Sequence, residues 1–129
     1  MRASRNVQKG LSGGTKTDGR AFLRMNRGAV HWADLPEGGR RPVVILTRSP
    51  GIPVRSRVTV APVTRTVRGI AAEVPVGRPE GLPRDSVVNV DELLTLDQRR
   101  VDPAPSGMLG PVKLRELEVA IHYALDLRH

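Results

Sequence analysis

Residues 40–47 read Arg-Arg-Pro-Val-Val-Ile-Leu-Thr, and residues 58–64 read Val-Thr-Val-Ala-Pro-Val-Thr. Each segment contains a run of β-branched residues, which is typical of a strand buried on both faces. A double arginine opens the first segment and Thr64 closes the second. If the two strands are neighbours, Arg41 and Thr64 project into one site. A guanidinium beside a hydroxyl favours an anionic ligand, above all phosphate.

The length and composition of the chain restrict its class. With 129 residues it is long enough for one domain and too short for two separate cores. The absence of cysteine excludes a disulfide framework, a nucleophilic thiolate and a zinc–thiolate site. No stretch approaches the roughly 20 apolar residues that span a bilayer, and no apolar segment follows the basic start as in a signal peptide. We therefore expect a soluble cytoplasmic protein with no membrane partner.

The net charge of +8 is concentrated at the amino terminus. Residues 1–27 hold seven lysines or arginines and one acid, whereas the remaining residues hold fourteen and twelve. Residues 1–26 have no hydrophobic period, so burial there cannot offset the entropy of ordering, and we predict a flexible arm before a domain at residues 27–129. Such an arm is either simply solvated or attracts nucleic acid without specificity. A translation start at Met25, just before the first strand signal, is a third possibility.

The remaining residues have the pattern of a mainly β domain closed by one helix. Proline and glycine clusters separate short apolar runs, and Pro75 marks its run as an edge strand. Pro62 is expected to break or bulge its strand, because proline cannot donate to a β-ladder. Strands are predicted at residues 28–34, 42–47, 57–64, 70–76 and 85–90 with a short extension at 93–96, and a helix at 111–127 with the apolar stripe Val112, Leu117, Ala120, Ile121, Ala124 and Leu125.

Residue types that often carry catalysis are scattered in this chain. His31, His122 and His129 are far apart, and no cluster of His, Asp and Glu has the spacing of metal ligands. His31 lies in a predicted strand and is expected to be a hydrogen-bonded structural histidine. Gly38 and Gly39 lie in a turn that lacks the lysine and hydroxyl of a phosphate-binding loop. We expect neither a metal nor another cofactor.

Four segments occur in an order that characterises a known family. They read RGAVHWADL at 27–35, RPVVIL at 41–46, VAPVT at 60–64 and LPRDSVVNV at 82–90, and they are followed by LTL at 94–96 and ALDL at 124–127. One such segment has little specificity, but all four in order make a strong combined signal. The chain thus resembles the MazF/PemK toxins of bacterial toxin–antitoxin systems.

This resemblance implies a fold, a reaction and partners. The fold would be a twisted antiparallel sheet of SH3-like barrel type with a C-terminal helix. The reaction would be sequence-specific, metal-independent cleavage of single-stranded RNA, in which a ribose 2′-hydroxyl attacks the adjacent phosphorus and leaves a 2′,3′-cyclic phosphate and a 5′-hydroxyl. Arg41 matches the family's catalytic arginine before proline, and Thr64 matches its catalytic threonine. A cognate antitoxin and a second copy of the chain, forming a homodimer, would be the partners.

Five further residues are predicted to contact the RNA: Arg40, Arg65, Arg68, Trp32 and Glu37. The three arginines extend the positive charge beside the catalytic pair. Trp32 offers a surface on which a base can stack, although its position inside a strand favours packing. Glu37 is the one acidic residue of the loop 35–40, which is shorter than the long loop of many family members.

Other roles remain open for the same residues. Arg41 could pair with Asp34 or Glu37 at a strand end, and Thr64 could be an ordinary β-former. Two other functions are also compatible with the pattern: a non-enzymatic toxin like CcdB, which binds DNA gyrase, and an SH3-like RNA-binding module. CcdB relies on a Trp-Gly-Ile-type end, whereas this chain ends Leu-Asp-Leu-Arg-His, which favours the nuclease. Only a nuclease would leave cyclic-phosphate ends.

Overall fold

The computed structural model describes residues 25–127, so the predicted basic arm lies outside it except for its last two residues. The sheet in this part is antiparallel, with strand order β4-β5-β3-β2-β1-β7 and with β6 also paired to β3, and it curls into a half-barrel. The prediction of a mainly β domain with a C-terminal helix is confirmed. The elements are β1 (Ala29–Leu35), β2 (Gly39–Ile45), β3 (Arg57–Thr64), β4 (Glu73–Val76), β5 (Ser86–Asn89), β6 (Leu94–Asp97), β7 (Gly107–Met108) and α1 (Pro111–Ala124).

β1 and β2 form a hairpin with a glycine-rich turn. Gly38 and Gly39 have φ values of 87° and 71°, in the left-handed region that glycine adopts without a steric penalty. The register pairs Asp34 with Arg40. β2 begins at Gly39 rather than at the predicted residue 42, because its pairing with β1 continues to the turn. Both arginines therefore lie inside the strand instead of before it.

β3 is the central strand because it pairs with three neighbours. Residues 60–62 pair with β2 on one edge, while residues 57–60 pair with β6 and residues 63–64 with β5 on the other. The strand runs through Pro62 without interruption, so the predicted break in the strand is wrong. Pro62 lies in the gap between β6 and β5, where its missing N–H is not needed for pairing.

The edge strand and the short strand extension that were predicted after β3 are both present. β4 is the last strand of the sheet, so the prediction of an edge strand from Pro75 is confirmed. It is shorter than predicted and begins at Glu73 instead of residue 70. The predicted extension at residues 93–96 is β6, which pairs with the first half of β3.

Two apolar clusters lie on opposite faces of the sheet. The first packs under α1 and includes Val44, while the second, which includes Val43 and Ile45, packs against Ile52 of a 3-10 turn. Successive residues of a strand point to opposite faces, so Val43 and Val44 enter different clusters. This burial on both faces explains the continuous β-branched run of β2.

α1 begins at Pro111, as predicted from the preference of proline for the first helical turn. Leu117 and Ala120 are buried as expected, but Val112 and Leu125 of the predicted stripe are exposed. The prediction is wrong for these two residues. The side chains that pack on the first cluster follow the spacing of Leu114, Leu117, Ile121 and Ala124, three or four residues apart.

Candidate active site

The register of β2 and β3 brings Arg41 and Thr64 together. Val43 is paired with Pro62, and the same register continued by two residues places Arg41 opposite Thr64 on the same face of the sheet. Both side chains line a cavity of about 500 Å³. The turn at residues 35–38 and the loop after β3 form much of its wall. The expectation that Arg41 and Thr64 share one site agrees with this placement.

The Arg41 side chain is held by the turn of the hairpin. Its Nε donates to the Gly38 carbonyl oxygen at 3.3 Å, and a Cβ added at Gly38 would lie 3.1 Å from Nε. Among residues 25–127 Arg41 forms no ion pair, because Asp34 pairs with Arg40 instead. Nη1 and Nη2 therefore remain available, and their planar arrangement suits two oxygens of one phosphate.

The hydroxyl of Thr64 is oriented by the loop that follows β3. Thr64 Oγ1 accepts a hydrogen bond from the Thr66 N–H at 3.1 Å. A hydroxyl that accepts in this way keeps its own hydrogen for donation. Glu37 also lines the cavity, so the short loop brings its one acidic residue to the same site as Arg41 and Thr64.

Arg68 reaches the cavity because its loop is anchored to the sheet. The Glu73 carboxylate accepts from the N–H of Arg68 at 3.0 and 3.2 Å and from the N–H of Gly69 at 2.9 Å. These charge-assisted bonds fix the loop, and Arg68 lines the cavity. Arg65 is exposed and is not among the lining residues.

Arg40 and Trp32 lie on the other face of the hairpin. Arg40 pairs with Asp102 and, at 3.6 Å, with Asp34, and its guanidinium lies 5.9 Å from the centroid of the Trp32 ring. The hydrogen bond with Asp102 raises the pKa of Arg40 above its ordinary value. Because adjacent residues of β2 alternate between faces, the two arginines point to different surfaces, and neither Arg40 nor Trp32 lines the cavity.

Asn89 and Glu92 also line the cavity, although neither was singled out as functional from the sequence. Asn89 has a structural role, because its Oδ1 accepts a hydrogen bond from the Asp91 N–H at 2.9 Å. It is only 6% exposed, yet it lines the cavity as well. A signal was present in the sequence, because Asn89 is the one amide within the apolar run from Val87 to Val90.

The described residues contain no group of three or more His, Cys, Asp or Glu side chains that could hold a metal ion. His31 is fully buried, and its Nδ1 is 2.8 Å from the Asp102 carbonyl oxygen, which confirms the prediction of a hydrogen-bonded structural histidine. Desolvation by burial lowers the pKa of His31 below its ordinary value.

A second, more open hollow lies at the end of α1 and is lined in part by Asp91, His122 and Asp126. Among residues 25–127 no lysine or arginine lines it, and its two aspartates would repel a phosphate. The cavity that holds Arg41 is therefore the candidate site.

Residues 26–125 match the family model of PemK-like, MazF-like toxins of type II toxin–antitoxin systems. The chain is 40% identical over 102 residues to the probable endoribonuclease MazF5 of Mycobacterium tuberculosis, which covers 78% of this chain and 92% of that protein. It is 32% identical over 112 residues to the endoribonuclease MazF of Staphylococcus saprophyticus, covering 80% and 92%.

Solved structures show the same fold. The Mycobacterium tuberculosis toxin MazF-mt6 has a TM-score of 0.74 and 40% identity, over 78% of this chain and 99% of that one. A mycobacterial endoribonuclease in complex with its cognate antitoxin has a TM-score of 0.72 and 26% identity, over 81% and 97%. Within residues 25–127, no helix is both long and apolar enough to span a bilayer.

Proposed function

Because this chain belongs to the PemK-like, MazF-like toxin family, we propose that it is an endoribonuclease toxin that cleaves single-stranded RNA at the cavity of Arg41 and Thr64. The observation that carries this proposal is the geometry of that pair. A guanidinium that forms no ion pair within residues 25–127 lies, by continuation of the register, opposite a hydroxyl on one face of the sheet, and the cavity also contains a second arginine, Arg68. This arrangement suits a phosphodiester rather than a neutral ligand.

The RNA supplies its own nucleophile in this reaction. The ribose 2′-oxygen forms a bond to the adjacent phosphorus while the bond from phosphorus to the 5′-oxygen breaks, which leaves a 2′,3′-cyclic phosphate and a 5′-hydroxyl. Arg41 binds phosphoryl oxygens through Nη1 and Nη2 and stabilises the charge that grows on them. Thr64 donates its hydroxyl hydrogen to the same phosphate and so helps to hold the 2′-oxygen in line with the leaving oxygen.

The proton transfers need a base and an acid but no metal. The Glu37 carboxylate is the group on the turn that accepts the proton of the 2′-hydroxyl. The 5′-oxygen leaves with a proton from water, assisted by a hydrogen bond from Arg41. Cleavage is therefore expected to continue in excess chelator, and loss of activity in chelator with recovery on adding Mg²⁺ would contradict this scheme.

The RNA extends beyond the cavity in this proposal. Arg68 binds a neighbouring phosphate inside it, and Arg65 adds positive charge at its rim. Arg40 and Trp32 form a second contact on the other face, where a base stacks on the indole ring. Exposed ion pairs contribute little free energy, so the contacts of Arg40 with Asp34 and Asp102 can be exchanged for contacts with RNA.

We also propose a cytoplasmic homodimer that a cognate antitoxin neutralises. The support is a similar mycobacterial endoribonuclease that is in complex with its cognate antitoxin. An acidic, initially disordered antitoxin segment that folds on binding would suit the arginines of the cavity. A monomer by light scattering at micromolar concentration would contradict the dimer. An inhibitory antitoxin that leaves RNA binding unchanged would contradict the shared site.

The decisive experiment compares Arg41→Ala with Arg40→Ala, since the two arginines are adjacent but face opposite surfaces. Removing one donor to a developing oxyanion typically reduces the rate by about 10²–10³-fold, so we expect that loss for Arg41→Ala. Arg41→Lys should also be slow, because the ammonium lacks the planar fork. Arg40→Ala should weaken RNA binding and leave the rate at which bound RNA is cleaved nearly unchanged.

Thr64→Ala should be slow as well, and its effect should not add fully to that of Arg41→Ala, because both serve one transition state. Each variant must show the thermal unfolding of the parent chain. A folded Arg41→Ala that cleaves RNA at the parental rate would refute the site, and RNA bound without cyclic-phosphate ends would indicate a binding module instead.

A further inference from the structure

Asn89 lines the cavity, and the donor group of its side-chain amide makes no hydrogen bond within residues 25–127. Oδ1 accepts from the Asp91 N–H at 2.9 Å, so the amide can take only one of its two orientations. Nδ2 then points away from that N–H, and within residues 25–127 it makes no hydrogen bond. In the same range, His31 Nε2 is the one side-chain nitrogen or oxygen that is both buried and without a partner. Nδ2 of Asn89 also lacks a partner, so it is not buried. Because Asn89 lines the cavity, Nδ2 is open to the cavity.

The position of Asn89 relative to the catalytic pair follows from the register of β3 and β5. Thr64 is paired with Val87, and the same register places Asn89 opposite Pro62. Thr64, Pro62 and Asn89 therefore share one face, with Asn89 diagonal to Thr64 at the roughly 7–8 Å typical of such neighbours. This separation is too large for the phosphate that Arg41 and Thr64 hold, but it is suited to the nucleoside beside it.

We propose that Asn89 reads a nucleobase next to the cleaved phosphate, with Nδ2 donating to an acceptor atom on the edge of that base. This inference rests on the endoribonuclease function proposed above. The phosphate charge is already met by Arg41 and Arg68, whereas a neutral amide of fixed direction selects by the position of an acceptor. A base without an acceptor at that position would cover Nδ2 and leave this donor without a partner. The free-energy cost of that unsatisfied donor makes discrimination between bases strong.

The cavity contains a second group that suits base recognition. Glu92 lies at the end of the 3-10 turn that Asn89 caps, is also among the residues that line the cavity, and has a side chain that ends in a carboxylate. An amide donor and a carboxylate acceptor in one cavity match a base edge that carries an acceptor and an amino group. Asn89 is a specificity-determining residue in this reading and takes no part in the bond changes.

The test uses two substitutions that keep a capping acceptor but remove the Nδ2 donor from its position: aspartate has no N–H, and the serine hydroxyl keeps a hydrogen but lies one bond closer to the backbone than Nδ2. Asn89→Ser is neutral, and its hydroxyl can still accept from the Asp91 N–H. Asn89→Asp is nearly isosteric and adds a charge. Asp97→Ser is the matched control, because Asp97 Oδ1 caps the next 3-10 turn through the Arg99 N–H at 2.9 Å and Asp97 does not line the cavity.

The measurement is kcat/KM for RNA oligonucleotides that carry each of the four bases at every position flanking the cleaved bond. The wild-type chain should prefer certain bases at one of these positions. Asn89→Ser should reduce that preference by roughly 5- to 100-fold, while cleavage of the disfavoured substrates changes little. Asp97→Ser should leave the preference intact. Asn89→Asp should reduce the preference too, with a further overall loss that salt diminishes, because it comes from charge repulsion.

An equal loss for all bases with Asn89→Ser would overturn the inference, since it would mean that Asn89 contacts the sugar–phosphate backbone. An unchanged preference would also overturn it and leave Asn89 as a cap alone. A wild-type chain that cleaves none of the RNAs would instead refute the endoribonuclease proposal.

Discussion

The turn glycine Gly38 is expected to control the rate through Arg41, and Gly39 provides the matched control. Alanine at either position must adopt a left-handed φ, which costs about 1–2 kcal/mol. Both variants should therefore unfold at a lower temperature, by roughly 4–8 °C per kcal/mol. The new methyl groups differ, however. At Gly38 it lies 3.1 Å from Arg41 Nε, whereas at Gly39 it meets nothing within 4 Å.

The size of the effect on the rate follows from this contact. Relief of the 3.1 Å approach requires the guanidinium to move by a few tenths of an ångström, which also lengthens its hydrogen bond of 3.3 Å to the Gly38 carbonyl. A misplacement of about 1 Å can cost about 10²-fold, so we expect Gly38→Ala to lose on the order of 10-fold in the cleavage step. Gly39→Ala should stay within about 2-fold, because its contribution is backbone strain alone.

The assay is single-turnover cleavage of an RNA oligonucleotide at saturating enzyme, with thermal unfolding of each variant measured in the same buffer. A double-mutant cycle with Arg41→Ala tests the route of the effect. If Gly38 acts by positioning Arg41, Gly38→Ala should cause almost no further loss in the Arg41→Ala chain. Equal losses for the two glycine variants, or additive losses in the cycle, would refute the reasoning.

Three further perturbations have expected outcomes. Deletion of residues 1–24, which hold six basic residues and one acid, should flatten the salt dependence of RNA binding and leave the cleavage motif unchanged; a changed motif would contradict this. Because burial lowers the pKa of His31 from 6.5, the unfolded chain binds the proton more tightly, so the free energy of unfolding should fall as the pH drops from about 7 to 5. In urea titrations, His31→Asn should reduce the dependence of the free energy of unfolding on pH in this range. An unaltered dependence would exclude His31 as its cause. Gly81→Ala should prevent folding by circular dichroism, because its Cβ would lie 2.1 Å from the Ser106 carbonyl oxygen, and a stable variant would show that this backbone crossing can move.

The fold was predictable from the sequence where its signals are local. β3 was predicted with its observed bounds, since a β-branched run and its flanking polar residues occur together there. The start of β2 was missed, because it depends on the pairing of Gly39 with Leu35 across the turn. Val112 was assigned to the buried stripe because helical spacing alone does not show which side chains of the first turn reach the core, and in the structure Val112 is exposed.

The part of the site that could be predicted from the sequence is the part formed by the polar ends of two neighbouring strands, β2 and β3. The expectation that Arg41 and Thr64 share one site needed only the assumption that β2 and β3 are neighbours, whereas their placement on one face depends on the register. The separation of Arg40 from Arg41 required the register, which a double arginine does not reveal. Asn89 was not identified as a cavity residue, because its exposure to the cavity depends on β5 lying beside β3 and on a hydrogen bond within the following turn.

The burial of β2 on both faces leaves its alignment with β1 underdetermined by hydrophobic patterning. Val43, Val44 and Ile45 are all fully buried, so a slip of one residue would exchange one set of aliphatic side chains for another at little cost. The same slip would turn Arg40 into the cavity and Arg41 toward Trp32. The number of residues in the turn, rather than the core, therefore sets which arginine faces the cavity. Insertion or deletion of a single residue between Pro36 and Gly39 should yield a folded protein with impaired cleavage, because Arg40 would enter the cavity without the hydrogen bond to Gly38 that holds Arg41.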